Sequence, residues 1–492
     1  MVRHYMFNIP HVCIPSRRSF RATLLAGVLV AVAVGGILFL SSYRLFSSPE
    51  TWMDEGLIIQ SAIGLLSTGK AALPIAPGIF EPAWYITTGL PVTMPLAAVF
   101  AVFGVSLEGA RMVMLAYLCA LFAALWLFIR KAVHRPVQWA SFFLLILFAP
   151  LYGNGRNVLG EIPGLFFLLC TMWLLTLHGP LTQRRAVGIG LFAGLAVATK
   201  PIFILLVPAL LISFWLRRDE LYLWRVWWYG VMGFCVPLLL WIYFQFGDVS
   251  LLRVFQVYAN PHDASPAAAI LANLKRLVTE AQPFYFGATI LLWLVSYGVR
   301  KRRGESVLVT EEVLLFFSLF VAAAYLRTVG FYRYFFLGEV FSVLYLPSSL
   351  WYLMRADRTL RARYAVYAII ALMLLSHGYT TFFRSWTATH YDSQRTALLE
   401  KYFAAQPVHE SLFIYQAPEL VTFAWGHPFY QYVRITPSIE AGADNLGLLR
   451  DKSVGRVVTS LDTYVAQKDD VLAAYERDES VGNYVVLSRK QP

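Results

Sequence analysis

Apolar runs near 20 residues long, separated by short basic clusters, fill the first three quarters of the chain. The first, Ala22 to Leu40, is long enough to cross a bilayer, for which roughly 20 apolar residues are needed. Windows of that length predict about eleven spans, near 22–42, 109–129, 137–152, 159–177, 186–199, 201–216, 226–246, 285–299, 312–328, 334–354 and 363–381. The 186–216 stretch has the length of one long helix, yet both its flanks are basic. Two short helices meeting at Lys200-Pro201 satisfy the charge pattern, because proline disfavours helix at the residue before it.

The basic clusters are Arg17/Arg18/Arg21, Arg130/Lys131/Arg135, Arg184/Arg185, Arg217/Arg218, Arg300/Lys301/Arg302/Arg303 and Arg355/Arg358/Arg361/Arg363. The positive-inside tendency places them all in the cytoplasm, so the chain goes out and returns between neighbouring clusters. An odd span count puts the N-terminus inside and the C-terminus outside. The charged start resembles a signal peptide, but the first run is too long and lacks a clear small-residue cleavage site, so it reads as an uncleaved span.

Two outer segments are long. Tyr43 to about Glu108 contains Pro74, Pro77, Pro82, Pro91 and Pro95, and is expected to mix short amphipathic helices with turns at the interface. Gly247 to Pro283 contains Asn260-Pro261-His262-Asp263. From about Phe383 onward the pattern becomes that of a soluble unit. Strand-length runs lie at Ser411–Tyr415, Tyr432–Ile435, Arg456–Thr459 and Tyr484–Leu487, with helical stretches such as Asn445–Asp451 and Asp469–Arg477 between them. The expected organisation is mainly α: a polytopic membrane domain over 1–382, with its first extracytoplasmic loop at 43–108, and a small extracytoplasmic α/β domain over 383–492. No dinucleotide fingerprint, P-loop or internal repeat is visible.

Composition sharpens this class. Only 14% of residues are charged and 58% are hydrophobic, against about 25% charged in a soluble protein. Aromatics reach 16%, as suits rings at lipid–water interfaces. The net charge of +12 lies in the clusters between apolar runs, which reads as topology and not as a nucleic-acid-binding face. Cys13, Cys119, Cys170 and Cys235 form no CxxC motif, and the absence of cysteine beyond Cys235 means no disulfide in the C-terminal segment.

The predicted topology gathers ionisable residues at the outer ends of the spans. Asp54 and Glu55 follow span one, Arg156 and Glu161 lie between spans three and four, Lys200 between five and six, and Arg327 and Arg333 bracket the loop between nine and ten, with Tyr334 beside Arg333. Lys70 and His262 are weaker candidates on the two outer loops. Each has a plainer reading: a solvated loop acid, a structural ion pair, a lysine snorkelling to headgroups, or arginines on lipid phosphates. Together they suit one chemistry. Arg156, Lys200, Arg327 and Arg333 can clamp a phosphate, and Asp54 can take a proton from an acceptor hydroxyl. The phosphate would then leave, its developing charge met by the cations.

These residues resemble the GT-C superfamily of polyprenyl-phosphate-sugar-dependent glycosyltransferases over roughly the first 350 residues. The branch they are most similar to is that of the protein O-mannosyltransferases and the lipid A aminoarabinose and galacturonic acid transferases. The resemblance rests on Asp54-Glu55, on Pro91-Val92-Thr93-Met94-Pro95 through Phe103-Gly104 to Arg111, on Arg156 through Glu161-Ile162-Pro163, on Thr199-Lys200-Pro201 and on Arg333-Tyr334-Phe335. It implies an inverting transfer from a lipid-linked sugar to a lipid, glycan or protein acceptor. It implies no required cofactor, with a divalent cation optional, and a bacterial inner (plasma) membrane as the expected location. Asp54 would be the base and Glu161 a second acid, while Arg156, Lys200 and Arg333 would hold the donor phosphate. Glu81-Pro82 departs from the pattern, standing where relatives often carry a basic residue, so the clamp is expected to be rearranged there. A transporter or flippase of a lipid-linked sugar would use the same cations, and a membrane scaffold presenting the C-terminal domain is the third alternative.

Overall fold

The structure, a computed structural model, describes residues 17–177, 179, 181–217, 224–247, 249–259, 265–355, 360–385, 394–406, 411–451 and 453–490. Every apolar window falls on a helix. Helix α1 (Arg17–Ser42) is followed by α2 (Met53–Thr68), the hairpin β1 (Ala72–Ala76) and β2 (Ile79–Pro82), and α3 (Leu90–Phe103). Then come α4 (Leu107–Ala132), α5 (Gln138–Ile146), α6 (Ala149–Arg156), α7 (Glu161–Leu175), α8 (Gln183–Thr199), α9 (Leu206–Leu216) and α10 (Trp224–Gln245). Two shorter helices, α11 (Leu251–Ala259) and α12 (Pro266–Thr279), precede α13 (Ala281–Arg302), α14 (Val309–Leu326), α15 (Arg333–Met354) and α16 (Leu360–Tyr379).

Among the described residues, α1, α4, α10, α14, α15 and α16 hold six helical stretches long and apolar enough to span a bilayer, and the α5–α6 pair, bent by 50°, makes a seventh if it is one span. Helices α3, α7 and the Pro201–Leu216 stretch are apolar but shorter. The chain is thus an integral membrane protein, and the expected eleven spans resolve into six or seven full-length helices accompanied by shorter ones. The break at Lys200-Pro201 is present: Lys200 is extended (φ −156°, ψ 129°) between α8 and a 3-10 turn over Pro201–Leu205.

Burial sorts the helices. Phe335 to Leu350 of α15 are buried without interruption, so this helix is the centre of the bundle. It stacks Phe335 on Phe286 of α13 at 5.0 Å and Tyr345 on Trp293 at 4.6 Å. By contrast α1, α10 and α16 expose Leu24 and Val28, Met232 and Leu239, and Leu372 and Leu375, an apolar surface suited to lipid. Helices α8 and α10 touch backbone to backbone: a Cβ at Gly190 would lie 1.8 Å from the Gly230 carbonyl oxygen. Such small-residue contacts let membrane helices approach without a hydrophobic driving force. One end of the bundle is closed by Arg300–Glu311 and Arg217–Glu312 ion pairs, with Lys301 2.7 Å from Glu312.

The opposite end carries the α/β unit. After α17 (Arg395–Ala405) come β3 (Leu412–Tyr415), α18 (Val421–Ala424), β4 (Phe429–Thr436), β5 (Ile439–Ala441), α19 (Leu446–Arg450), β6 (Arg456–Ser460), α20 (Leu461–Gln467), β7 (Tyr475–Val481) and β8 (Tyr484–Arg489). The sheet order is β5-β4-β3-β6-β8-β7, with β3 parallel to both β4 and β6 and the other pairs antiparallel. All four expected strands are present. The expected Asp469–Arg477 helix is not: α20 ends at Gln467, and Tyr475 onward is edge strand β7. Its Glu476, Arg477, Asp478 and Glu479 are exposed, and charges at a sheet edge discourage further pairing.

The first loop also differs from the expected interfacial segment. Residues Glu55 to Gly64 of α2 are all buried, because the helix is covered by the C-terminal unit and not by lipid headgroups. A single core joins Leu57, Ile63, Leu73, Val92 and Met114 to Val433 and Ile439. Gln60 Nε2 donates to the Pro418 carbonyl at 2.7 Å, Gln431 Nε2 to Gln60 Oε1 at 2.5 Å and Asn445 Nδ2 to the Ile75 carbonyl at 2.9 Å. Glu81 accepts the Gly442 amide at 3.2 Å, so this acid serves the contact with the C-terminal unit. Burial raises its carboxyl from the usual range.

Gly56 sets the closest approach, since a Cβ there would lie 2.4 Å from Glu419 Cα. Gly56→Ala is expected to lift the C-terminal unit off α2 at a cost of about 1–3 kcal/mol, typical of overpacking. The measurements are a lowered Tm and a lost disulfide between cysteines placed at Gln60 and Gln431; wild-type behaviour in both refutes the contact's importance.

Candidate active site

Four helix ends meet beneath the C-terminal unit. Trp52 is extended (φ −147°, ψ 171°) and delivers the chain into α2, placing Asp54 in the first turn, where the helix dipole favours an acid. Arg333 opens α15 and donates through Nη1 to Asp54 Oδ2. Glu161 opens α7, and Lys200 at the α8 break donates to Glu161 Oε1. The Glu161 charge also acts on Arg333, so the two ion pairs form one electrostatic cluster. Within it the Asp54 side chain is 34% exposed and Glu161 2%, which makes Asp54 the open acid. Glu161 Oε2 is buried without a hydrogen-bond partner.

Aromatic rings fix the Arg333 guanidinium. Its Cζ lies 5.2 Å from the Trp52 ring, 5.5 Å from Tyr334 and 5.8 Å from Phe331, within cation–π range. The loop before it is clamped by α12: Asn273 Nδ2 donates to the Thr328 carbonyl at 2.8 Å and Arg276 Nη1 to the Gly330 carbonyl at 2.6 Å. Gly330 sits at φ +84°, and a Cβ there would lie 1.7 Å from Arg276 Nη1.

Other candidates separate from this cluster. Glu55 follows Asp54 by one residue, which turns it about 100° round the helix into the interior. There it is fully buried, accepting from Arg111 Nε at 3.0 Å, Arg111 Nη2 at 2.8 Å and the Val158 amide at 3.1 Å. It anchors the α2 start to α4 and does not face the opening. Arg156 is buried as well, with Nη2 on the Tyr43 carbonyl at 2.5 Å and Nε and Nη1 unpartnered. Arg327 is exposed at the end of α14. Lys70 lies 5.7 Å from the Tyr243 ring and follows Asp54 by a helix length of about 24 Å at 1.5 Å per residue, so it does not join the site. His262 falls outside the described residues. Among the described residues no group of three or more His, Cys, Asp or Glu could hold a metal ion.

Sequence reasoning missed Trp52, Phe331, Asn273, Arg276 and the role of Arg111 as the partner of Glu55. The two rings had a signal, since each lies within two residues of a candidate charge. The α12 clamp had none, because it joins residues more than fifty positions apart.

Arg111→Ala leaves Glu55 buried and unpaired, a loss of about 3–5 kcal/mol for pairs of this kind. The expected outcome is a collapse of folded yield in size-exclusion chromatography and a large fall in Tm. A Tm unchanged from wild type would refute the anchor.

No family model matches the chain, and no curated protein matches its sequence. Solved structures do. The crystal structure of ArnT from Cupriavidus metallidurans bound to undecaprenyl phosphate is 13% identical, with a TM-score of 0.64 over 95% of this chain and 98% of that one. Its apo state gives a TM-score of 0.63. The archaeal oligosaccharyltransferase AglB from Archaeoglobus fulgidus, in complex with an inhibitory peptide and a dolichol-phosphate, is 14% identical, with a TM-score of 0.55 over 96% of this chain and 75% of that one. At such identities the likeness is one of architecture: the chain has an ArnT-like GT-C membrane fold.

Proposed function

We propose that the chain is an integral membrane glycosyltransferase that moves a sugar from a polyprenyl-phosphate donor to an acceptor hydroxyl with inversion. The observation that carries this reading is the meeting of Asp54–Arg333 with Glu161–Lys200 at one end of a membrane bundle. Charges at membrane depth are costly and are kept mostly for function. The solved relative with undecaprenyl phosphate bound supports the donor class.

In this mechanism the donor phosphate displaces Asp54 from Arg333 and shares Lys200 with Glu161. The freed Asp54 carboxylate takes the acceptor O–H proton. The acceptor oxygen attacks the anomeric carbon from the face opposite the phosphate, and the carbon–oxygen bond to phosphate breaks with its electron pair leaving on phosphate. Arg333 and Lys200 stabilise that charge in a site of low dielectric. One in-line displacement inverts the anomeric centre. Glu161 positions Lys200. The chemistry uses side chains alone, with a divalent cation optional.

The basic clusters of α13 lie at the end opposite the site, which by the positive-inside tendency makes the site extracytoplasmic. We assign the chain to the inner (plasma) membrane of a bacterium, with the N-terminus cytoplasmic. Maleimide reaching a cysteine at Ser453 in intact cells supports this orientation, and labelling only after permeabilisation refutes it.

Asp54→Asn is expected to lose on the order of 10³-fold in sugar transfer, the usual contribution of a positioned base, while still binding undecaprenyl phosphate. Lys200→Ala is expected to weaken undecaprenyl phosphate binding by about 2 kcal/mol, near thirtyfold. Undiminished transfer by Asp54→Asn removes Asp54 from the mechanism. Activity is expected to survive EDTA; recovery only on adding Mg²⁺ or Mn²⁺ would make the cation a requirement.

A further inference from the structure

A cavity of about 300 Å³ opens between the lead-in to α2 and the C-terminal unit. Trp52 and Met53, the residues just before Asp54, form one side. The other side comes from α17, from Glu419, from the start of α20 with Asp462, and from Asn483 and Tyr484 at the β7–β8 turn. Trp52 therefore borders both regions, lining the cavity while its ring lies 5.2 Å from the Arg333 guanidinium.

Two lining residues are buried with polar atoms left unmet. Glu419 is 7% exposed; its Oε1 accepts from the Tyr484 hydroxyl at 2.6 Å, but Oε2 has no partner. Thr396 is 3% exposed and its Oγ1 has no partner. A buried polar atom left without a partner forfeits the hydrogen bonds it had in water. Two of them lining one cavity are what a bound polar group would satisfy.

We propose that this cavity is the acceptor subsite of the transferase and that it takes an uncharged, hydroxyl-rich glycan end. The charge of the lining makes the choice. Its one cation, Arg395, is already ion-paired with Glu50 at 2.5 Å. Glu50, Glu419 and Asp462 give the lining an excess of acids over its one cation, which disfavours a phosphate. Sugar hydroxyls are different: they donate to carboxyl and amide oxygens and accept from the Asn483 amide, while the Trp52 ring offers a flat apolar wall.

This inference rests on the transferase reading, so its test separates the two. The full chain in nanodiscs is offered immobilised neutral mono- and disaccharides alongside their phosphorylated counterparts, with undecaprenyl phosphate binding measured on the same preparation. Expected is retention on one or more neutral glycans over their phosphorylated forms. Glu419→Gln and the cavity-filling Asn483→Trp should weaken that retention at least tenfold, with undecaprenyl phosphate binding unchanged. Three outcomes overturn the subsite and leave the transferase reading intact: preference for the phosphorylated forms, wild-type retention by both variants, or no retention by protein that binds undecaprenyl phosphate. Wild-type protein that binds no undecaprenyl phosphate overturns the transferase reading itself.

Discussion

Opposite charges can be kept at the ends of membrane helices only if each offsets the other's lost hydration. In this chain that requirement decides the layout. Arg333 opens the helix that is buried all round, and Asp54 opens a helix enclosed by the C-terminal unit, so the pair ties the centre of the bundle to its cover. Glu161 and Lys200 repeat the arrangement on two more helix ends. Breaking a pair of this sort leaves an uncompensated charge, which costs far more than the pair itself contributes. Asp54, partly open to solvent, is the partner of Arg333 that can be exchanged at the lower cost.

The two ends of the bundle treat charge differently. At the end away from the C-terminal unit, Glu311 and Glu312 are saturated by Arg300, Arg217 and Lys301 and by the Trp293 and Tyr297 donors. At the site end, Glu161 keeps one oxygen without a partner and Asp54 stays partly open. Full satisfaction makes a fastening; incomplete satisfaction leaves capacity for a ligand.

Much of this was legible in the sequence. Apolar length placed the helices, and the proline that follows Lys200 marked the break there. Asp54, Glu161, Lys200 and Arg333, which the structure brings together at one end of the bundle, stood out because charge is scarce in such a chain. What the sequence could not supply was direction. Asp54 and Glu55 are neighbours with equal claims until the helix turns one outward and the other toward Arg111. Arg156 carries the same charge as Arg333 but lies in the interior. The Asp469–Arg477 stretch is turn as far as Ala474, and its last three residues enter edge strand β7, whose interior positions are all exposed and so carry no alternation of apolar and polar residues. The docking of the C-terminal unit on α2 joins residues more than 350 positions apart, as Gln60 and Pro418 do, and leaves no local trace.

The Gly56–Glu419 contact has a bearing on biogenesis. The segment carrying Asp54 leaves the ribosome hundreds of residues before the backbone that seals its helix. Until β3 and the turn after it are made and folded, α2 has no cover on that side. A nascent or truncated chain would therefore be inserted with α2 still unsealed, and the helix would be closed over only once translation had passed Glu419.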